Sequence, residues 1–326
     1  MEMMKPFNVW SEFQPLESVV VGNINKVTEI DIPFLGQNHV DNFKRVFDYT
    51  FSDLDKIKNN LKKLNISVEQ CSTYDLRSTN GYAPPLQPRD WFMVYGKDTI
   101  VPNQIRNYDK AKTQSLDHLF KNVIRGHYTD TANFLRCGNA IFYTNDFGEQ
   151  GTVEGNYFVT DTMKKINSDV QLHEIKGVFG HLDGVIFFVR PGLLLSSLHK
   201  NELPFCLQNW DIIDCSIPEA KHVKSVDVWG NLFEHRHKKF HPFIIEKWLW
   251  YKNTNPEETC WSINALSINE QCIMMPGYNK YVFNELAKRG VECIDLNLQS
   301  LDFWDGGLHC MTNELNRQGD CVDYFI

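Results

Sequence analysis

The chain has 326 residues and a mass of 38.0 kDa, enough for one large core or two ordinary ones. A hydrophobic fraction of 42% beside 23% charged residues excludes a disordered chain. The formal net charge of -8 argues against nucleic acid as a partner, and no apolar run reaches membrane-spanning length.

In chain order, a strand over residues 18–21, a helix over 41–64 and a strand over 66–70 come first. Hairpins follow at 91–95 with 99–102, 134–136 with 140–144, 185–189 with 193–197, and 265–268 with 273–275. Their connections are rich in turn formers: Gly96-Lys97-Asp98, Cys137-Gly138-Asn139, Arg190-Pro191-Gly192 and Asn269-Glu270. Helical patterns run over 109–123, 154–167, 202–209 and 280–289, and apolar strands return at 170–175, 212–216 and 292–296. The recurring unit is ββαβ, repeated five times at a spacing of roughly 60 residues, which predicts a closed pseudosymmetric arrangement in a single domain over 1–326. An ordinary α/β sheet is the alternative that the same string of elements supports. Residues 219–258 break the rhythm and read as an insertion; their His235, His237 and His241 alternate with Arg236, Lys238 and Lys239, whose charge opposes a metal.

The nine cysteines are odd in number and form no C-x-x-C pair, so neither a disulfide framework nor a zinc ribbon is indicated. With no apolar h-region over residues 1–6, a reducing, cytoplasmic location is expected. Cys310 stands apart, in Asp305-Gly306-Gly307-Leu308-His309-Cys310-Met311-Thr312. Two glycines allow positive φ and a close main-chain approach to a ligand, so the thiol reads as presented rather than packed. A nucleophilic thiol needs a base and a group that orients the base. Gly180-His181-Leu182-Asp183-Gly184 offers a histidine and a carboxylate on the same side of an extended segment. Asp90 follows Pro88-Arg89, and Asp130 and Asn133 precede the hairpin at 134; taken singly, these are more often turn residues than ligands.

The order of the fragments carries more than any one of them. Pro-Arg-Asp, Asp-x-Ala-Asn-Phe-x-Arg-x-Gly, Gly-His-x-Asp, Ser-x-Asn and Gly-Gly-x-His-Cys-x-Thr open successive units, after a first strand introduced by Trp10-Ser11-Glu12-Phe13-Gln14-Pro15. This set resembles the amidinotransferases of the pentein superfamily, similar to glycine and inosamine amidinotransferases. The resemblance implies a pentein-type α/β propeller with five pseudosymmetric ββαβ modules around a central active site. It implies transfer of the amidino group of L-arginine to an acceptor amine through a covalent amidino-cysteine, with ornithine released and no cofactor or metal. By position, Cys310 matches the nucleophile, His181 the acid and base, and Asp90 and Asp183 the carboxylates that grip the guanidinium. Ser262 and Asn264 match a strand bordering the substrate. Asn133 stands where the family has the aspartate paired with the histidine, with Asp130 as a substitute, and Lys200 stands where it has an arginine for the substrate carboxylate. The resemblance also implies a homodimer, with small-molecule substrates as partners and neither nucleic acid nor membrane. A hydrolase of the arginine deiminase or dihydrolase kind, and a guanidinium-binding pentein without catalysis, are the alternatives.

Overall fold

A computed structural model describes residues 7–24, 37–73, 85–102, 119–120, 123–145, 151–178, 181–221, 261–304 and 306–325. Among them the strands are β1 (Leu16–Val21), β2 (Ser67–Gln70), β3 (Met93–Tyr95), β4 (Asp98–Pro102), β5 (Val123–Gly126), β6 (Phe134–Cys137), β7 (Ala140–Tyr143) and β8 (Gln171–Glu174). They continue as β9 (Ile186–Arg190), β10 (Leu193–Ser196), β11 (Asp211–Asp214), β12 (Leu266–Asn269), β13 (Cys272–Met275), β14 (Glu292–Asp295) and β15 (Thr312–Arg317). Long helices are α1 (Gln37–Lys63), α2 (Val153–Ile166) and α3 (Lys280–Lys288).

The strands form five three-stranded sheets among the described residues, β3-β4-β5, β6-β7-β8, β9-β10-β11, β12-β13-β14 and β15-β1-β2. In every sheet the middle strand pairs antiparallel on one side and parallel on the other. A short hairpin supplies the antiparallel pair in four sheets, β15 supplies it to β1 in the fifth, and the parallel pair needs a longer crossover. Gly96, Gly138 and Gly192 turn three of the hairpins at φ of +59, +66 and +79, a region open to glycine.

Helix starts follow local chemistry. Thr152 accepts from the Gly155 amide at 3.0 Å ahead of α2, and Asn279 accepts from the Val282 amide at 3.0 Å ahead of α3. The expected helix at 202–209 is instead two 3-10 turns, Lys200–Glu202 and Phe205–Leu207. Pro204 lies between them; it lacks an amide donor and disfavours helix in the residue before it. The end of the expected helix at 109–123 is the start of strand β5, residues 119–120 are not helical, and the rest of it lies outside the described residues, as does the insertion beyond residue 221 with its three histidines.

The sheets are arranged in a ring. β1 packs on β12, β12 on β9, the turn before β9 on the turn before β6, that turn on the one before β3, and β15 on β3. Apolar side chains fill the spaces between sheets: Leu194, Phe188 and Phe142 in one, Met274, Leu266 and Val19 in another. The turns that open the units face inward, and these carry the polar motifs.

Candidate active site

Three short turns gather here: Pro88–Asp90, Thr131–Asn133 and Leu182–Gly184. Pro88 opens the first, where its fixed φ suits a helical turn and its missing N–H costs nothing. Asp130 and His181 stand at the cap positions of the other two, yet neither side chain caps its turn. They meet each other instead. His181 Nε2 lies 3.2 Å from Asp130 Oδ2, and His181 Nδ1 lies 3.7 Å from Asp90 Oδ1. The Asn133 amide donates to Thr129 Oγ1 at 3.4 Å, and the ring of His181 meets Asp130, the residue expected as a substitute.

Cys310 enters from the segment before β15. Its main-chain N–H donates to Asn264 Oδ1 at 3.1 Å, and the Asn264 amide donates back to the sulfur at 3.0 Å. The sulfur lies 3.6 Å from Asp183 Oδ2. Gly306 and Gly307 make this possible through size: neither adopts a positive φ, contrary to the expectation from sequence. A Cβ on Gly307 would sit 2.6 Å from the Asn264 side chain, and one on Gly306 would sit 2.2 Å from Gln87 Nε2. The expectation of a presented thiol is also overturned. Cys310 is 4% exposed, whereas the side chains of His181, Asp90 and Asp130 keep 19%, 14% and 16%. Exposure thus grows from the sulfur outward to the imidazole and the two outer carboxylates.

The other expected residues divide. Ser262 is buried two residues before Asn264, but it is Asn264 that reaches the sulfur. Lys200 is exposed on the turn Lys200–Glu202, outside the hydrogen-bonded cluster around Cys310.

Beneath the turns lies a chain of buried charges that the sequence reading passed over. Arg136 binds Glu12 Oε1 at 2.8 Å and Glu314 Oε2 at 2.7 Å, and Arg89 binds the same Glu314 oxygen at 2.7 Å. Arg317 reaches Glu314 Oε1 at 3.1 Å, and His309 spans Asp183 and Glu12. Buried charges need such partners. The available signal was the setting of Arg136, which interrupts the apolar strand Phe134–Cys137, where an unpaired charge would be prohibitive; Glu314 lies among polar residues and gave none. Glu12, His309 and Glu314 bring three ligand atoms within 4.8 Å of one another. Arg89 and Arg136 already neutralise these oxygens, and their charge opposes a metal cation.

The electrostatics follow from this layout. Burial works against a charge on His181, but Asp90, Asp130 and Asp183 outweigh it and lift its pKa to about 10. Burial raises the Cys310 thiol well above its ordinary value, and the Asp183 and Asp90 carboxylates push the same way; the Asn264 hydrogen bond opposes them. Burial also raises Asp183, yet the hydrogen bond from His309 and the nearby cations bring it below the usual carboxylate range. The resting arrangement is therefore a protonated thiol 3.6 Å from the Asp183 carboxylate, with an imidazolium at His181. Such a site holds a planar cation well and has a proton ready for a leaving group.

No protein-family model matches the sequence. Glycine amidinotransferase, mitochondrial, of Xenopus tropicalis is 25% identical over 204 residues, covering 60% of this chain and 40% of that protein. The chain thus spans well under half the length of that curated relative. The corresponding protein of Gallus gallus is 21% identical over 98% of this chain and 85% of its own length. The solved inosamine-phosphate amidinotransferase of Streptomyces griseus superposes with a TM-score of 0.72 at 18% identity, over 98% of this chain and 99% of that one. A DDAH from Pseudomonas aeruginosa, solved with citrulline, gives 0.58 at 10% identity, over 92% of this chain and 99% of that one. Among the described residues no helix is long and apolar enough to cross a membrane. The sequence relatives named as amidinotransferases and the shared five-module ring lead to one conclusion: the chain has the pentein fold, and these likenesses support an amidinotransferase-family assignment.

Proposed function

We propose that this chain moves the amidino group of L-arginine to an acceptor amine through a covalent amidino-Cys310 intermediate and releases ornithine. The observation that carries this reading is the buried Asp183 carboxylate 3.6 Å from the Cys310 sulfur, with Asp90 beside His181 at the more open side. A guanidinium is planar, cationic and a poor electrophile; it reacts when its N–H fork is gripped and its carbon is held over a nucleophile.

The arginine cation between Asp90 and Asp183 offsets the two carboxylate fields that hold the proton on sulfur, and that proton leaves to solvent. The thiolate attacks the guanidinium carbon and forms the C–S bond. Imidazolium His181 gives its proton to the departing nitrogen as the C–N bond breaks, so ornithine leaves as a neutral amine and the amidino-cysteine keeps the positive charge. Neutral His181, oriented by Asp130, then takes a proton from the acceptor amine as that amine attacks. The C–S bond breaks, and the thiolate and imidazolium are restored. Asn264 steadies the sulfur through its amide hydrogen bond. Lys200 serves the substrate carboxylate and Ser262 lines the acceptor side in this reading. The enzyme works in the cytoplasm as a homodimer; the eight described cysteines are all free, in support of a reducing compartment.

Intact mass after incubation with arginine tests the proposal, together with ornithine release in the presence of glycine, ω-amino acids, polyamines and amino-cyclitols. An amidino adduct lost in Cys310→Ala is expected. Absence of both adduct and ornithine sinks it. Water as the acceptor is the second reading, favoured by the covered position of Cys310, which suits a small acceptor. Citrulline or ammonia release without an added amine selects it, and calorimetric binding of arginine without turnover selects a binding protein.

A further inference from the structure

His309 precedes the nucleophile and is as buried as it, yet the mechanism above gives it nothing to do. Its Nδ1 lies 2.7 Å from Asp183 Oδ2 and its Nε2 lies 3.3 Å from Glu12 Oε2. A neutral imidazole carries one N–H and one lone pair, so it can donate to only one of two carboxylates, and the lone pair would face the other. Glu12 is already held as a carboxylate by Arg136 at 2.8 and 3.1 Å. Two donors are therefore required, and the ring is an imidazolium. The groups that face it are Glu12 before β1, Asp183 before β9, Glu314 on β15, and Arg89 before β3, whose charge opposes that of the ring.

The consequence lies on Asp183. Its Oδ2 takes the His309 hydrogen bond and lies toward the sulfur, while its Oδ1 is buried and accepts no hydrogen bond among the described residues. A buried carboxylate oxygen without a donor is costly unless something arrives to supply one. We propose that His309 is a positioning residue, a fixed imidazolium that clamps Asp183 by Oδ2 and reserves Oδ1 for the N–H of the substrate guanidinium. The proposal rests on the guanidinium reading of the site. It adds a residue that acts through Asp183 and ties that carboxylate to the charge chain of Glu12, Arg136 and Glu314.

Two substitutions separate the clamp from a packing role. In His309→Asn the amide nitrogen falls where Nδ1 stood and still donates to Asp183; in His309→Gln it falls where Nε2 stood and serves Glu12 alone. Loss of a hydrogen bond to a charged group predicts a KM for arginine raised about 10- to 100-fold in His309→Gln, with a smaller change in His309→Asn. Alkylation of Cys310 by iodoacetamide, followed by peptide mass, is read in the same proteins without arginine. With Asp183 no longer offset by a neighbouring cation, His309→Gln slows it about tenfold at neutral pH. Histidine nitrogen NMR on the intact wild-type chain gives a measurement independent of variant folding: both His309 nitrogens are protonated at neutral pH. A ring with one bare nitrogen at neutral pH overturns the proposal. So do variants that lose thermal stability equally while KM and alkylation stay at wild-type values. If wild type is inert to arginine but the ring is doubly protonated and alkylation falls from wild type to Asn to Gln, the substrate reading fails and the clamp stands.

Discussion

The two ring nitrogens of His181 face two carboxylates, Asp130 at 3.2 Å on Nε2 and Asp90 at 3.7 Å on Nδ1. The proposed acid-base group thus meets a carboxylate three positions before the residue that the family pattern favours. Asp130→Asn keeps a polar neighbour but removes a charge, so turnover should fall about 100-fold and the His181 titration should move to lower pH. Asn133→Asp buries a new carboxylate at a fully buried position; a stability loss of about 1–3 kcal/mol with no gain in rate is expected. A faster enzyme of unchanged stability would return the orienting role to position 133.

His181 also gives the fold a pH dependence. Its folded pKa of about 10 lies above the unfolded value near 6.5, so between these limits the native state binds more protons than the unfolded one. Its contribution is full below about pH 6.5 and is lost as pH rises toward 10. Urea midpoints measured from pH 6 to 10 should decline for wild type more than for His181→Gln. Parallel curves would show that the three surrounding carboxylates do not hold the proton.

Arg136 neutralises Glu12 and Glu314 at once. Arg136→Met leaves those carboxylates short of a partner in a dry interior and should cost about 3–5 kcal/mol. Denaturant unfolding followed by fluorescence measures this, and a loss below 1 kcal/mol would mean that Arg89 and Arg317 suffice.

Asn264 and Gly307 set the thiol. Asn264→Ala orphans the buried Cys310 amide and removes a donor to sulfur, with about 1–3 kcal/mol lost and slower alkylation of Cys310. Gly307→Ala forces a Cβ into the Asn264 side chain and should cost about 1–3 kcal/mol by overpacking. Comparison of thermal midpoints and alkylation rates for both variants checks these values; an unaffected Gly307→Ala would show that the 306–312 segment shifts freely.

The ring of five units was legible because hairpin turns, amphipathic helices and apolar strands recur in fixed order, each a local signal. The short helix at 202–209 was misread because its apolar spacing outweighed one Pro204 in its middle. Cys310, His181, Asp90 and Asp183 were singled out through the order of motifs. The meeting of Asp130 with His181 was not legible, since it depends on which of two polar residues in a turn points across to the neighbouring module. The buried chain of Glu12, Arg136, Glu314 and His309 was hidden for a similar reason: each charge looks prohibitive alone and makes sense only beside partners more than a hundred residues away.

β1 takes its antiparallel neighbour from β15, with Leu16 opposite Arg317 and Val21 opposite Thr312. The sulfur lies just ahead of that last strand. The first sheet therefore keeps a bare edge on β1 until the segment that carries Cys310 and β15 has been made. The surroundings of the Cys310 thiol are thus assembled in the same event that seals the circle, so folding of the last strand and shaping of this buried pocket are one step.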